Sequence, residues 1–195
     1  MYVLFCQLLP KRIRMALKPT IYKLKIALSD LNQDHYDNLD LTIALHPSET
    51  TERMMARVLA YCLNAQPQLV FCKGLSDTSE PDLWAHSLDG NLETWIEVGE
   101  PSEDRIKKAS HRATTVKIYS FNSKSPTWWD LECSKLKSLT ASIYRFYWND
   151  MVTLASFIER TMDLSITISD NSVYVATRLG ECEMTLETLQ EQSLS

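Results

Sequence analysis

The chain is 195 residues long, 45% hydrophobic and 23% charged, with a net charge of −5. That length suits one globular domain with a substantial core. No stretch reaches the roughly 18 apolar residues of a membrane-spanning helix, and the acid excess argues against a protein that coats duplex nucleic acid non-specifically.

Residues 1–14 run apolar first and basic second, with Lys11, Arg12 and Arg14 after the apolar stretch. A secretory signal has the opposite order. They read as an extension ahead of a domain that spans 15–189, followed by a loose tail over 190–195. The five cysteines (Cys6, Cys62, Cys72, Cys133, Cys182) are scattered and form no CxxC knuckle. They read as reduced thiols of a cytoplasmic protein.

Alternation of apolar and polar residues predicts strands over Thr20–Leu28 and Leu39–Leu45, which together read as a hairpin with a long or irregular, polar and turn-rich connection. Ser48 reads as the N-cap of a helix that runs to about Asn64 and carries Met54, Met55, Val58, Leu59, Cys62 and Leu63 on one face. A short strand is expected over Leu69–Cys72 and a weaker one over Leu83–Leu88. Asp89-Gly90-Asn91 has the chemistry of a hairpin turn leading into a strand over Glu93–Val98. Ser102 caps a helix over Glu103–Arg112, and Thr115–Phe121 is again a strand. The remaining expectations are helices over Thr127–Leu139 and Asp150–Met162, strands over Ala141–Tyr147, Leu164–Ser169 and Val173–Ala176, and a short terminal helix over Thr185–Glu191. The class is mixed α/β.

The charge pattern points to a site. Nine acids and no Lys or Arg lie between Gly74 and Asp104; six Lys or Arg and no acid lie between Arg105 and Lys124. Glu97 sits mid-strand on a face shared with Trp95, and Asp82 lies at the start of the partner strand, so the two could approach one another. Two carboxylates about 4 Å apart repel by roughly 4 kcal/mol at an effective dielectric near 20. They need a cation, either a Mg²⁺ or a Lys or Arg. Glu52, at the edge of the apolar face of the first helix, is a third candidate, while Glu49 is expected to point away. Arg105, Lys108 and Arg112 form one stripe on the following helix, either a solvated face or a phosphate clamp. His35, His46, His86 and His111 lack zinc-ligand spacing, and the five tryptophans suit the core better than base stacking.

Several motifs in order resemble the bacterial YaeQ family. They are Met15-Ala-Leu-Lys-Pro-Thr-Ile-Tyr-Lys, His46-Pro-Ser-Glu-Thr-Thr-Glu-Arg-Met-Met, Glu80-Pro-Asp-Leu-Trp, Trp95-Ile-Glu-Val-Gly and Arg105-Ile-Lys-Lys-Ala. The resemblance implies a variant of the PD-(D/E)xK, restriction-endonuclease-like fold: a mixed sheet flanked by helices, here with a further β/α portion at the C-terminus. By position it implies Asp82 and Glu97 as the two motif acids and Glu52 as the helix acid, together holding Mg²⁺ (or Mn²⁺). The motif lysine would stand two residues after Glu97, where this chain has Gly99. Lys108, on the next helix, is the expected replacement as catalytic cation, with Arg105, Lys108 and Arg112 contacting phosphates of DNA or RNA. The implied activity is that of a metal-dependent nuclease-like phosphodiesterase. The alternatives are a fold that has lost catalysis and serves as a binding or interaction module, and nucleic-acid binding without cleavage.

Overall fold

A computed structural model describes residues 18–73, 75 and 79–192. The expected extension at 1–14 lies outside the described residues. β1 (Thr20–Asp30) and β2 (His35–Leu45) form the expected antiparallel hairpin, but through a tight turn over 31–34 rather than a long or irregular connection. The Asp30 carboxylate explains the tightness, because it accepts from Asn32 N at 3.0 Å and Gln33 N at 3.2 Å and so closes the turn locally. The polar residues of 35–40 remain in a strand because β2 is the edge of the sheet, where Tyr36, Asp37 and Asn38 are all exposed.

α1 (Thr51–Cys62) begins two residues later than expected, with Thr50 as its N-cap. Ser48 is engaged elsewhere: its hydroxyl lies 2.6 Å from His46 Nδ1. β3 (Val70–Phe71), β4 (Leu83–His86) and β5 (Leu92–Val98) follow, the last two joined through Gly90 at φ 81°. α2 (Glu103–Ser110) is capped by Ser102, as expected, and leads to β6 (Thr115–Ser120). α3 (Ser125–Leu136) starts earlier than expected and takes Pro126 into its first turn, where a missing N–H costs nothing. β7 (Ser142–Phe146), α4 (Trp148–Ser156), β8 (Thr161–Ser169) and β9 (Ser172–Thr177) complete the alternation. α4 is shorter than its sequence pattern because Thr161 and Met162 belong to β8, which pairs in parallel with β1.

The largest correction concerns the C-terminus. Of residues 185–191, expected as a helix, 185–190 belong to β10 (Glu181–Gln190). The segment pairs antiparallel with β9 on one side and β7 on the other, and pairing on both edges outweighs a weak helical preference. Among the described residues the strands form one ten-stranded sheet in the order β2-β1-β8-β9-β10-β7-β6-β5-β4-β3. β10 is therefore the strand that joins its two halves. Its end is anchored too: Gln190 Nε2 donates to the carbonyls of Leu136, Leu139 and Ala141, and Gln192 Nε2 donates to Thr114 O at 2.9 Å.

One core packs α1 and α4 onto a face shared by both halves, with Met54, Met55, Leu59, Ile96, Phe146 and Met184 fully buried. A second core packs α2 and α3 onto the opposite face, around Trp95, Ile106, Val116, Ile118 and Ile143. The sheet half built from β5, β6 and β7 is thus covered on both sides, as its parallel pairings require.

A chain ending at Gly180 should fail to fold. It leaves β9 and β7 with unpaired edges and removes the buried Met184. Far-ultraviolet circular dichroism and gel filtration would check this; a native spectrum and a monomeric elution would contradict it.

Candidate functional site

β5 and β6 run parallel, and the chain leaves both at the same end of the sheet. A pocket of about 450 Å³ opens there, lined by Glu80, Asp82, Glu97, Val98, Gly99, Glu100, Arg53, Arg105, Asn122 and their apolar neighbours. The carboxyl ends of parallel strands are the usual place for a ligand in an open sheet. The two acids expected to meet, Asp82 and Glu97, are both here, 2% and 5% exposed.

The backbone fixes Asp82. Its N–H donates to Ile96 O at 3.0 Å, and its Oδ2 accepts from Val98 N at 2.8 Å. Its Oδ1 takes Arg53 Nη2 at 2.7 Å. Glu97 shares a strand face with Trp95, as the alternation predicts, and its Oε1 accepts from Trp95 Nε1 at 2.7 Å. The same oxygen takes Arg105 Nη2 at 2.8 Å, and that nitrogen also donates to Glu80 O at 2.8 Å. Burial pushes the Glu97 carboxyl above its ordinary range; Arg105 and Trp95 hold it back in part, while Asp82 adds to the rise. Burial likewise raises Glu100, against hydrogen bonds from the N–H groups of Phe121 and Asn122 and from the Asn122 side chain.

The helix acid is a correction. Glu52 does not line the pocket. Glu49, expected to point away, is the enclosed one, with a side chain 2% exposed. It sits just ahead of α1, where His46 N reaches its Oε2 at 3.3 Å, and it binds Arg53 Nη1 and both Nε and Nη2 of Arg57 at 2.8 Å. Arg53 therefore bridges Glu49 and Asp82. The sequence hint was the Glu49/Arg53/Arg57 spacing of four and four, which continues one helix stripe backward through its cap.

Lys108 is the second correction. It is exposed on α2 and does not line the pocket. The cation that reaches Glu97 is Arg105, the member of the stripe nearest the start of α2. Arg112 is exposed, stacks its guanidinium 5.0 Å from the Trp95 ring centroid and lies outside the pocket. Of the expected set, then, Asp82, Glu97 and Arg105 converge, and Glu52, Lys108 and Arg112 do not.

Gly99 stands where the motif lysine would. Its φ is 118°, a left-handed conformation that L side chains rarely adopt, although a Cβ there would meet nothing within 4 Å. Backbone geometry rather than space excludes a lysine.

The donor types of a Mg²⁺ site are present, since that ion takes one or two carboxylates plus water and phosphate oxygens. The arrangement does not fit the ion. Arg53 Nη2 sits 2.7 Å from Asp82 Oδ1 and 3.4 Å from Val98 O, and Arg105 Nη2 holds Glu97. Among the described residues no group of three or more His, Cys, Asp or Glu is placed to hold a metal ion.

Fold and site together define a mixed α+β protein whose sheet carries, at the open end of its parallel strands, a pocket of buried acids neutralised by arginines. The YaeQ protein family matches residues 15–186, and the chain belongs to that family. The uncharacterised YaeQ proteins of Salmonella typhi and Escherichia coli K12 are 38% and 37% identical to it over 182 residues, 92% of this chain and all of each relative. The crystal structure of YaeQ from Xanthomonas axonopodis pv. citri superposes with a TM-score of 0.85 at 31% identity, covering 89% of this chain and 99% of that one. The Pseudomonas syringae YaeQ structure superposes with a TM-score of 0.85 at 35% identity, covering 89% and 97%.

Two outcomes follow from the buried pairs. Arg105→Ala leaves Glu97 buried without its cation and should cost about 3–5 kcal/mol. Adding Glu97→Gln should recover part of that loss in urea melts; a double variant no more stable than the single one would show the pair to be uncoupled. The pH response has a definite sign. A carboxyl whose pKa is raised on folding stabilises the fold fully below its unfolded value of about 4.3. That contribution is lost as pH rises through the higher folded value. Wild type should therefore lose stability relative to Glu97→Gln as pH climbs through that window, and parallel curves would contradict the raised Glu97.

Proposed function

We propose that the chain is a nuclease-like frame in a non-cutting form, a module that binds the phosphodiester backbone of DNA or RNA. The observation that carries this reading is the seating of the two guanidinium groups. Arg53 Nη2 bridges Asp82 Oδ1 and Val98 O, and Arg105 Nη2 bridges Glu97 Oε1 and Glu80 O. Asp82 and Glu97 are the two acids that a PD-(D/E)xK site would turn toward Mg²⁺ or Mn²⁺. A metal promotes hydrolysis by acidifying a bound water, and a guanidinium does not. Gly99 removes the motif lysine as well.

Binding falls to α2 and its surroundings. Lys107, Lys108 and Arg112 are exposed on or just beyond that helix, Lys124 is exposed at the start of α3, and no acid lies between residues 105 and 124. Such a face suits phosphate contacts that set position without reading bases.

A second reading, a metal-dependent phosphodiesterase, is favoured by one observation. Among the described residues four acids line the pocket (Glu80, Asp82, Glu97, Glu100) against two arginines, and raised carboxyl pKa values gather at functional sites. In that case Asp82 and Glu97 are the metal-facing acids, and Arg53 and Arg105 yield to the ion.

Titration calorimetry with Mn²⁺ and cleavage assays on single- and double-stranded DNA and on RNA separate the two. The module reading expects no metal heat and no cleavage. It also expects salt-dependent binding whose log–log slope falls by about 2–3 when Lys107, Lys108 and Arg112 are all made Ala. Mg²⁺-dependent cleavage lost in both Asp82→Ala and Glu97→Ala would replace the first reading with the second.

A further inference from the structure

We propose that a second pocket, at the opposite end of the parallel strands, is a binding site for a small phosphate-type oxyanion with Lys117 as its cation. The pocket is about 290 Å³ and is lined by Gln33, Leu63, Asn64, Ala65, Gln66, Thr94, Thr115 and Lys117. Lys117 lies on β6 beside Ile96 of β5 and Ser142 of β7, so its stem rises from the covered part of the sheet. Among the described residues it is the only charged side chain in the lining.

A half-buried ammonium ordinarily has a carboxylate against it. Lys117 has none within ion-pairing distance among the described residues. Its one hydrogen bond goes to Asn64 Oδ1 at 2.6 Å, and Glu191 acts on it only from a distance. An ammonium carries three N–H donors, so two are left for a ligand. Asn64 cannot supply the missing charge; its amide N–H groups go to Ala60 O and Tyr119 Oη, which fixes it as a bracket for the lysine. Around the amine, the side chains of Gln66, Thr94 and Thr115 have no hydrogen-bond partner among the described residues. An amide and two hydroxyls beside a lone cation are donors suited to an oxyanion. Desolvation also lowers the Lys117 pKa, and an anion at the amine would reverse that shift.

This site is independent of the acid–arginine pocket. It opens beside Thr94 and Thr115, where β5 and β6 begin, whereas Glu97 lies near the end of β5.

The test uses the full chain with inorganic phosphate as probe, read by nuclear magnetic resonance titration and by acetylation of surface amines followed by mass spectrometry. Phosphate should slow acetylation of Lys117 at least about fivefold at saturation, and acetate should protect it less. Lys117→Met should weaken phosphate binding by at least about tenfold, or about 1.4 kcal/mol. Arg105→Gln combined with Glu97→Gln, which leaves no buried carboxylate uncompensated, should leave Lys117 protection unchanged, which separates this site from the first pocket. Should Lys117→Met unfold, Asn64→Asp provides the second arm: it puts a carboxylate against Nζ and should abolish phosphate binding while far-ultraviolet circular dichroism stays native. Absence of phosphate binding to wild type, wild-type affinity in a folded Lys117→Met or Asn64→Asp, or equal protection by acetate would overturn the assignment.

Discussion

The structure turns on two carboxylates that the fold takes out of water. Asp82 and Glu97 are nearly fully enclosed, and an enclosed carboxylate without a partner costs several kcal/mol. Each receives a guanidinium from a different helix: Arg53 from α1 on one face of the sheet, Arg105 from α2 on the other. The need for charge compensation therefore ties both helices to the same end of β5. Arg53 carries the tie further, since it also holds Glu49, which in turn holds Arg57. Planar guanidinium groups suit this bridging because their donors are fixed in a fork.

That arrangement also sets the chemistry. Carboxylates grouped on a pleated edge attract a cation of some kind, and the sheet geometry brings them together whichever cation arrives. Here the cations are covalently part of the chain. A covalent cation cannot exchange with solvent, carries no activated water and does not depend on metal supply. The left-handed backbone at Gly99 is consistent with this: the place from which a lysine would approach Glu97 is occupied by a conformation that disfavours any side chain.

The frame that holds the site depends on a strand far from it in sequence. β10 lies between β9 and β7 and unites the hairpin half, β2-β1-β8-β9, with the half that carries the acids. Through Phe146 and Met184, the core beneath α1 spans both halves, so the position of Arg53 is set by packing that includes the C-terminal strand.

Much of this was legible in the chain itself. Alternation marked β1, β5 and β6; Ser102 marked the start of α2; Asp89-Gly90 marked the hairpin; and the same alternation put Trp95 and Glu97 on one face, where they hydrogen-bond. These are local rules with periods of two or of 3.6 residues, and they operate without knowledge of neighbours. Tertiary structure decided the rest. Residues 181–190 became a strand because two partner edges were waiting for them, and Glu49 rather than Glu52 turned inward because the segment before α1 folds back onto Arg53 and Arg57. Sequence could present Arg105, Lys108 and Arg112 as one stripe, but only the docking angle of α2 selects which of them touches Glu97. Periodicity tells which residues share a face; the identity of the atom that meets them across space is a property of how the elements pack.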